Sequence, residues 1–379
     1  MKAERDGPEA LIRACGQCLG RSWLLGRLAG HLDVARSRLG ELLALDDDQL
    51  IGAVAGRDRA TVERERSAFA PDAARAAAGR AGLGLVCRCD HAYPRGLLDL
   101  AAPPAVLHFS GPVAPFLDAC GRDPVAIVGT REPTAYGMDV AVALGRQLAA
   151  AGVTVISGMA RGIDAAAHRG ALERADRGDG AGEPCTPATI AVLPGGAEVP
   201  YPRAHRRLHA QLMRTATVLS ELPPGTPVRR WMFPARNRLV AAIALMTVVV
   251  EAGDRSGSLV TARVAAALGR AVAAVPGRVT TAQAAGPLEL IAGGATLVRD
   301  GRDIVDRLFG VGARTLAADP RPALTEAQAA LLRELESGRD TPAAIARAGP
   351  ADAALVELAA LELAGWVRRG LGGRYSVIP

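Results

Sequence analysis

The chain has 379 residues, 49% hydrophobic and 22% charged, which fits a globular protein of two or three domains and excludes a disordered or fibrous one. Its 45 basic and 39 acidic side chains leave a net charge of +6, a surplus that permits nucleic acid without demanding it. The start, "MKAERDGPEA", lacks the apolar core of a signal peptide, and the longest apolar run, Leu239 to Val250, is too short to span a bilayer, so a soluble cytoplasmic protein with no membrane contact is expected.

Residues 1–85 alternate short helical stretches such as "SWLLGRLAGHL" and "DDQLIGAVAG" with Gly and Asp punctuation, which predicts a small all-helical domain without strands. Asp46-Asp47-Asp48 reads as an N-cap with an acidic first turn. Six cysteines, at 15, 18, 87, 89, 120 and 185, are too sparse for a disulfide scaffold. Cys15-x-x-Cys18 with Cys87-x-Cys89 imitates a zinc site, but these spacings match no common pattern, so reduced structural thiols and no metal or other cofactor are expected.

Within a domain spanning 86–311, the pattern changes at Val125 to short β-branched runs, most ending in glycine, that alternate with alanine-rich helices: "VAIVG", "VTVISG", "TIAVLPG", "ATVLSEL", "MTVVVEA" and "AVAAVPG". Strands apolar on both faces predict an α/β fold, a parallel sheet with helices on both faces, whose loops gather at the carboxyl edge. "ERADRGDGAGEPCTPA" at 173–188 interrupts the series as a mobile insertion. Residues 312–323 read as a linker, and 324–379 as three helices and a hairpin, a winged-helix-like domain. Its third helix, "ADAALVELAALELAG", has three carboxylates and no Lys or Arg, so a protein contact suits it better than a DNA groove, whereas Arg368, Arg369 and Arg374 on the wing remain able to touch a backbone.

The loops carry the functional signal. In "VAIVGTREPTAYG", Gly129, Thr130 and Arg131 precede a helix start, where unpaired N–H groups and a guanidinium favour phosphate. "SGMARGIDAAAH" repeats the pattern with Ser157 and Gly158; Asp164 and His168 share a helix face there, and a structural hydrogen bond is expected of them rather than catalysis. In "AVLPGGAEVPYPRAH", Arg203 is a candidate phosphate contact; His205 and His209 have helical spacing but lack the intervening Glu of a zinc protease. Arg236, Asn237 and Arg238 stand at another helix start, Glu251 closes a buried strand as an organiser, and Ser256, Gly257 and Ser258 open the next helix. Several such loops on one edge suit a run of phosphates, and Tyr136, Tyr201, Trp231 and Phe233, in or beside them, are candidates either to stack unpaired bases or to pack in the core.

At these residues the chain resembles the DNA-processing protein A (DprA/Smf) family. "VAIVGTREPTAYG", "SGMARGIDAAAH", "SELPPGTPVRRWMFPARNRLVAAIA" and "VVEAGDRSGSLVTARVAAALGRAVAAVPG" follow its pattern in order over roughly residues 90–310. The resemblance implies an extended Rossmann-like domain that binds single-stranded DNA without sequence preference, protects it and helps load the RecA recombinase in DNA uptake by natural transformation. It also implies a homodimer, a small helical (SAM-like) domain in front and a winged-helix-like domain behind. The DNA-pocket positions it carries over are Gly129, Thr130, Arg131, Ser157, Gly158, Arg203, Arg236, Asn237, Arg238, Ser256, Gly257 and Ser258, with Asp164 and Glu251 as supports. "LPGGAEVPYPRAH" departs from the family pattern, with His205 where Asn is common, and Leu288 replaces another usual Asn.

The alternative is a nucleotide-cleaving phosphoribohydrolase, which carries Pro-Gly-Gly-x-Gly-Thr-x-x-Glu. Here Pro194-Gly195-Gly196 is followed by Glu198, Val199 and Pro202 where Gly, Thr and the catalytic Glu belong, so that chemistry has no carrier. A nicotinamide-dependent dehydrogenase lacks its glycine triplet. A non-enzymatic binder is therefore expected.

Overall fold

The computed structural model describes residues 12–110, 116–117, 120–121, 123–173, 188–314, 321–345 and 351–378. The insertion at 173–188, Cys185 included, lies outside the described residues apart from its two ends, as do residues 315–320 of the linker. Two compact units are present, Met1–Arg314 and Thr315–Pro379.

The first unit opens with six short helices: α1 (Gly16–Arg27), α2 (Ala29–Val34), α3 (Leu39–Ala44), α4 (Asp47–Val54), α5 (Arg59–Ser67) and α6 (Pro71–Arg80). Asp46 caps α4: its carboxylate accepts from the Gln49 N–H at 2.8 Å, while the Gln49 side chain accepts from the Asp46 N–H at 3.3 Å. Leu24, Leu32, Leu50 and Val62 from these helices, with Leu28 between α1 and α2, enclose Trp231 and Met232, which belong to the sheet region. Burying each such side chain contributes about 1.5–3 kcal/mol, so the helices share a core with the element that begins at Met232.

The sheet has ten strands: β1 (Ile12–Arg13), β2 (Gly84–Cys87), β3 (Val106–Phe109), β4 (Val125–Val128), β5 (Val155–Ser157), β6 (Thr189–Val192), β7 (Thr217–Ser220), β8 (Met246–Val249), β9 (Ala271–Ala274) and β10 (Thr296–Leu297). Their order is β1-β2-β3-β7-β6-β5-β4-β8-β9-β10. The six runs read from sequence are β4 to β9, all paired in parallel. Two features depart from that reading. β3 runs antiparallel to both β2 and β7, making the sheet mixed, and β1 pairs with β2 in a segment expected to hold only helices. A two-residue strand has no period to read, and strand direction depends on connections that local apolar runs do not encode.

Between the strands lie α7 (Ala135–Ala150), α8 (Ile163–Leu172), α9 (Arg206–Thr215), α10 (Met232–Ile243), α11 (Gly257–Ala267), α12 (Ala285–Ala292) and α13 (Gly301–Phe309). Side chains of β6 alternate between two cores: Ile190 and Val192 pack with Leu239 and Leu259 of α10 and α11, Ala191 with Ala165 and Leu212 of α8 and α9. Helices therefore cover both faces, in a Rossmann-like arrangement. From β4 the chain winds outward through β5, β6 and β7, then returns to β8 on the other side. That reversal leaves a crevice at the carboxyl ends of β4, β5 and β8, the place where open α/β sheets bind ligands.

The second unit contains α14 (Glu326–Glu336), α15 (Pro342–Ile345) and α16 (Ala351–Leu363), then the antiparallel hairpin β11 (Val367–Arg369) and β12 (Tyr375–Val377). Leu331, Leu335, Leu358, Leu361, Val367 and Tyr375 form its core. Among the described residues no helix is long and apolar enough to cross a membrane.

Candidate functional site

The crevice is a cleft of about 760 Å³. Gly129, Thr130 and Arg131 enter it from the end of β4, Gly158 from β5, Ser256, Gly257 and Ser258 from the loop after β8, and Arg236 with Asn237 from α10. Nine of the residues singled out from the sequence thus share one wall-to-wall space, although they come from four segments of the chain.

Glu251 organises two of those segments. Its Oε2 accepts from the Thr134 N–H at 2.8 Å and its Oε1 from the Thr134 hydroxyl at 2.6 Å, while its carbonyl accepts from the Thr130 N–H at 2.6 Å. Thr134 in turn caps α7, accepting from the Gly137 N–H at 3.2 Å. On the next loop, Gly162 adopts φ +81°, a conformation suited to glycine, so that the Ile163 N–H reaches the Thr130 carbonyl at 3.3 Å. On the far side, Ser256 caps α11 and its hydroxyl lies 2.7 Å from that of Ser258, while the Asn237 amide donates to the Gly257 carbonyl at 3.3 Å.

Arg236 forms the floor. Its guanidinium is buried, donates to the Val192 carbonyl at 3.2 Å and sits 3.7 Å from the Asp164 carboxylate. Burial lowers the pKa of Arg236 and raises that of Asp164, and the charge of each partner opposes the shift in the other. Gly158 is the residue that makes room: a Cβ there would lie 1.4 Å from Arg236 Nη1. At the rim, Arg131 is exposed and stands over the Phe233 ring at 5.1 Å, and Tyr201 lies on the same ring with centroids 5.5 Å apart. The result is an exposed cation stacked on an aromatic ring at the rim, with a second, buried cation in the floor.

Other candidates fall elsewhere. Arg238 is two residues from Arg236, a 200° turn of helix at the α-helical period, and it points away from the cleft to pair with Glu221 and donate to the Ala102 carbonyl at 2.6 Å. Ser157 is fully buried, donating to the Ile127 carbonyl at 2.6 Å. Arg203 is exposed at the start of the short turn Arg203–His205 and does not line the cleft. Trp231 is buried with its indole N–H on the Ala29 carbonyl at 2.9 Å, and the exposed Tyr136 donates to the Pro276 carbonyl at 2.9 Å. Arg255, which the sequence reading passed over, does line the cleft, and its position directly before Ser256 was the available signal.

His168 and Asp164 do not form a couple. The His168 Nε2 lies 2.5 Å from the Gly158 carbonyl and its Nδ1 2.7 Å from the Thr189 hydroxyl, and burial lowers its pKa to about 4. His205 and His209 bond separate carbonyls, Met159 at 3.2 Å and Ala197 at 2.9 Å. Glu198 accepts from the Gly225 N–H at 2.5 Å, bracing the Pro194–Gly196 loop against its neighbour. The three histidines and Glu198 are thus engaged in structural hydrogen bonds, and the cleft sets Arg131, Arg236 and Arg255 beside Glu132, Asp164 and Asp254, with hydroxyls and a helix start able to hold an anion.

A Rossmann-like sheet with an arginine- and hydroxyl-lined cleft at its switch point places the chain among the open α/β proteins that take ligands at that edge. Within that class the family model for DNA recombination-mediator protein A matches residues 84–309, and the chain belongs to that family. A Mycobacterium tuberculosis relative is 46% identical over 220 residues, 58% of this chain and 53% of its own, so the chain spans about half the length of that relative. The DNA processing protein DprA of Bacillus subtilis is 35% identical over 251 residues, 66% of this chain and 80% of that protein. The X-ray structure of DNA processing protein A (DprA) from Streptococcus pneumoniae superposes with a TM-score of 0.59 at 28% identity, covering 77% of this chain and 98% of that one.

Proposed function

We propose that this chain binds single-stranded DNA without sequence preference and acts, without catalysis, as a recombination mediator that protects incoming strands and passes them to a RecA recombinase. The observation that carries the binding step is the convergence of Arg131, Gly158, Arg236 and Ser256 on one cleft, with Phe233 and Tyr201 at its rim. Backbone phosphates lie against the α11 start and the arginines, while a base stacks on Phe233. Sequence-independent capture leaves base edges free for a recombinase.

The RecA partnership, a role in natural transformation, a homodimer and a cytoplasmic location rest on family membership. α16, with three carboxylates and no basic residue, suits a protein contact better than a DNA groove.

Fluorescence anisotropy of a labelled oligonucleotide at two salt concentrations, with duplex and free nucleotides as competitors, tests the reading. The expected result is salt-sensitive binding that duplex displaces poorly, followed by faster RecA filament formation on coated strands. Absence of strand binding, with a mononucleotide bound or cleaved instead, would transfer the chain to the phosphoribohydrolase class.

A further inference from the structure

Four cysteines that the spacing left as separate thiols meet at one point. Cys15 and Cys18 lie at the start of α1, Cys87 ends β2, and Cys89 follows it two residues later. Their sulfur atoms all lie within 4.8 Å of one another. Cys18 Sγ and Cys89 Sγ are 3.7 Å apart, although the residues are 71 positions apart in sequence. Cys18 and Cys87 are buried and Cys15 and Cys89 sit on the rim, so the cluster is reachable from solvent.

From this geometry we propose that Cys15, Cys18, Cys87 and Cys89 hold one structural zinc ion. Zinc binds thiolates at about 2.3 Å in a tetrahedron, which sets neighbouring sulfur atoms about 3.8 Å apart. The Cys18–Cys89 separation of 3.7 Å is of that size, and all four sulfurs lie within 4.8 Å, close enough for small side-chain shifts to bring them round one ion. That separation is too wide for a disulfide, whose sulfur atoms stand about 2.05 Å apart. It is also too tight for an iron–sulfur cluster, in which inorganic sulfide separates irons and the thiolates are spread over more than one metal. Four thiolates close the coordination sphere, as structural rather than catalytic sites do. The surroundings suit the charge. The start of α1 presents its positive end to Cys15 and Cys18, and the Cys15 N–H donates to Cys87 Sγ at 3.5 Å, which steadies that sulfur as a ligand. Arg75 donates to the Ala14 carbonyl at 2.9 Å, beside Cys15. On binding, the four thiols give up their protons to solvent as the zinc–sulfur bonds form, leaving an anionic centre near these donors.

The ion ties the first turn of α1 to the end of β2. α1 also carries Leu24, which packs in the same core as Trp231 and Met232 at the start of α10, the helix that bears Arg236. Zinc therefore clamps the helical segment to the sheet.

The test is metal analysis of the full chain, purified under reducing conditions and dialysed against a weak chelator. About one zinc per chain is expected, falling at least tenfold in a Cys18→Ser/Cys89→Ser variant and unchanged in Cys120→Ser, whose thiol lies outside the cluster. Because the double variant can misfold, the stripped wild-type chain is also titrated with cobalt(II), where thiolate charge-transfer bands and the intense visible absorption of tetrahedral cobalt are expected at one equivalent. Less than a tenth of an equivalent of zinc together with no tetrahedral cobalt spectrum would overturn the proposal, as would iron in place of zinc or a folded double variant that keeps its metal. Each readout is independent of DNA binding.

Discussion

Arg236 and Asp164 face each other at 3.7 Å beneath Gly158, and neither side chain is more than 8% exposed. The pair joins the first turn of α8 to helix α10 under the cleft. Arg236 Nε has no hydrogen-bond partner among the described residues, so the guanidinium is held by its other nitrogens and by packing. A buried charge so placed cannot leave with its ligand, and anything that moves it changes the floor of the site.

Gly158→Ala puts a methyl group where Arg236 Nη1 now lies, 1.4 Å from the new Cβ. Overpacking of this kind costs about 1–3 kcal/mol of stability. The expected result is a lower thermal midpoint and single-strand affinity reduced at least about tenfold, equivalent to 1.4 kcal/mol. A folded variant with wild-type affinity in anisotropy titrations would remove Arg236 from the binding surface.

Arg131 and Arg238 are expected to separate binding from stability. Arg131 is exposed at the rim, so Arg131→Ala leaves the melting curve unchanged and lowers the slope of log affinity against log salt by about 1. Arg238→Ala strands the buried Glu221, whose pKa burial already raises against the pull of Arg238, and is expected to cost about 3 kcal/mol in chemical denaturation. Its salt slope stays at the wild-type value.

Phe233→Ala removes the ring shared by Arg131 and Tyr201. Loss of about 1–3 kcal/mol of binding is expected, with little dependence on salt, since a stacked base contributes through its face rather than its charge. Equilibrium titration at low and high salt checks both parts.

His168 makes stability depend on pH. Its pKa is about 4 in the fold against 6.5 outside it, so the unfolded chain binds more protons in that interval. The neutral histidine's contribution is fully present above pH 6.5 and is lost as pH falls toward 4. Between pH 7.5 and 5.5 the loss amounts to about 1 kcal/mol. Subtracting the urea-denaturation profile of His168→Gln isolates this group from Asp164 and Glu221, whose raised pKa values act in the opposite direction. Parallel profiles for the two proteins would contradict it.

Much of this was legible in local sequence. The six runs from "VAIVG" to "AVAAVPG" became β4 to β9 because a parallel sheet covered on both faces requires short continuous apolar strands. Loops after β4, β5 and β8 could be expected to meet, since strands laid in parallel bring their carboxyl ends to one edge. Arg238 and Trp231 could not be sorted this way. Both have the right chemistry next to the right motif, and only the phase of α10 and the helices packed on Trp231 turn them away from the cleft.

The residue order alone determined the αβ alternation, the anion-friendly loops and the family pattern, because these depend on neighbours within one turn or one strand. Tertiary structure decided what depends on distant segments meeting. It set the reversed direction of β3, chose Arg236 rather than Arg238 as the floor of the site, and gathered Cys15 and Cys18 with Cys87 and Cys89. Cysteines 71 positions apart become a single ligand set only when α1 is laid against the end of β2, and spacing along a chain carries no record of that contact.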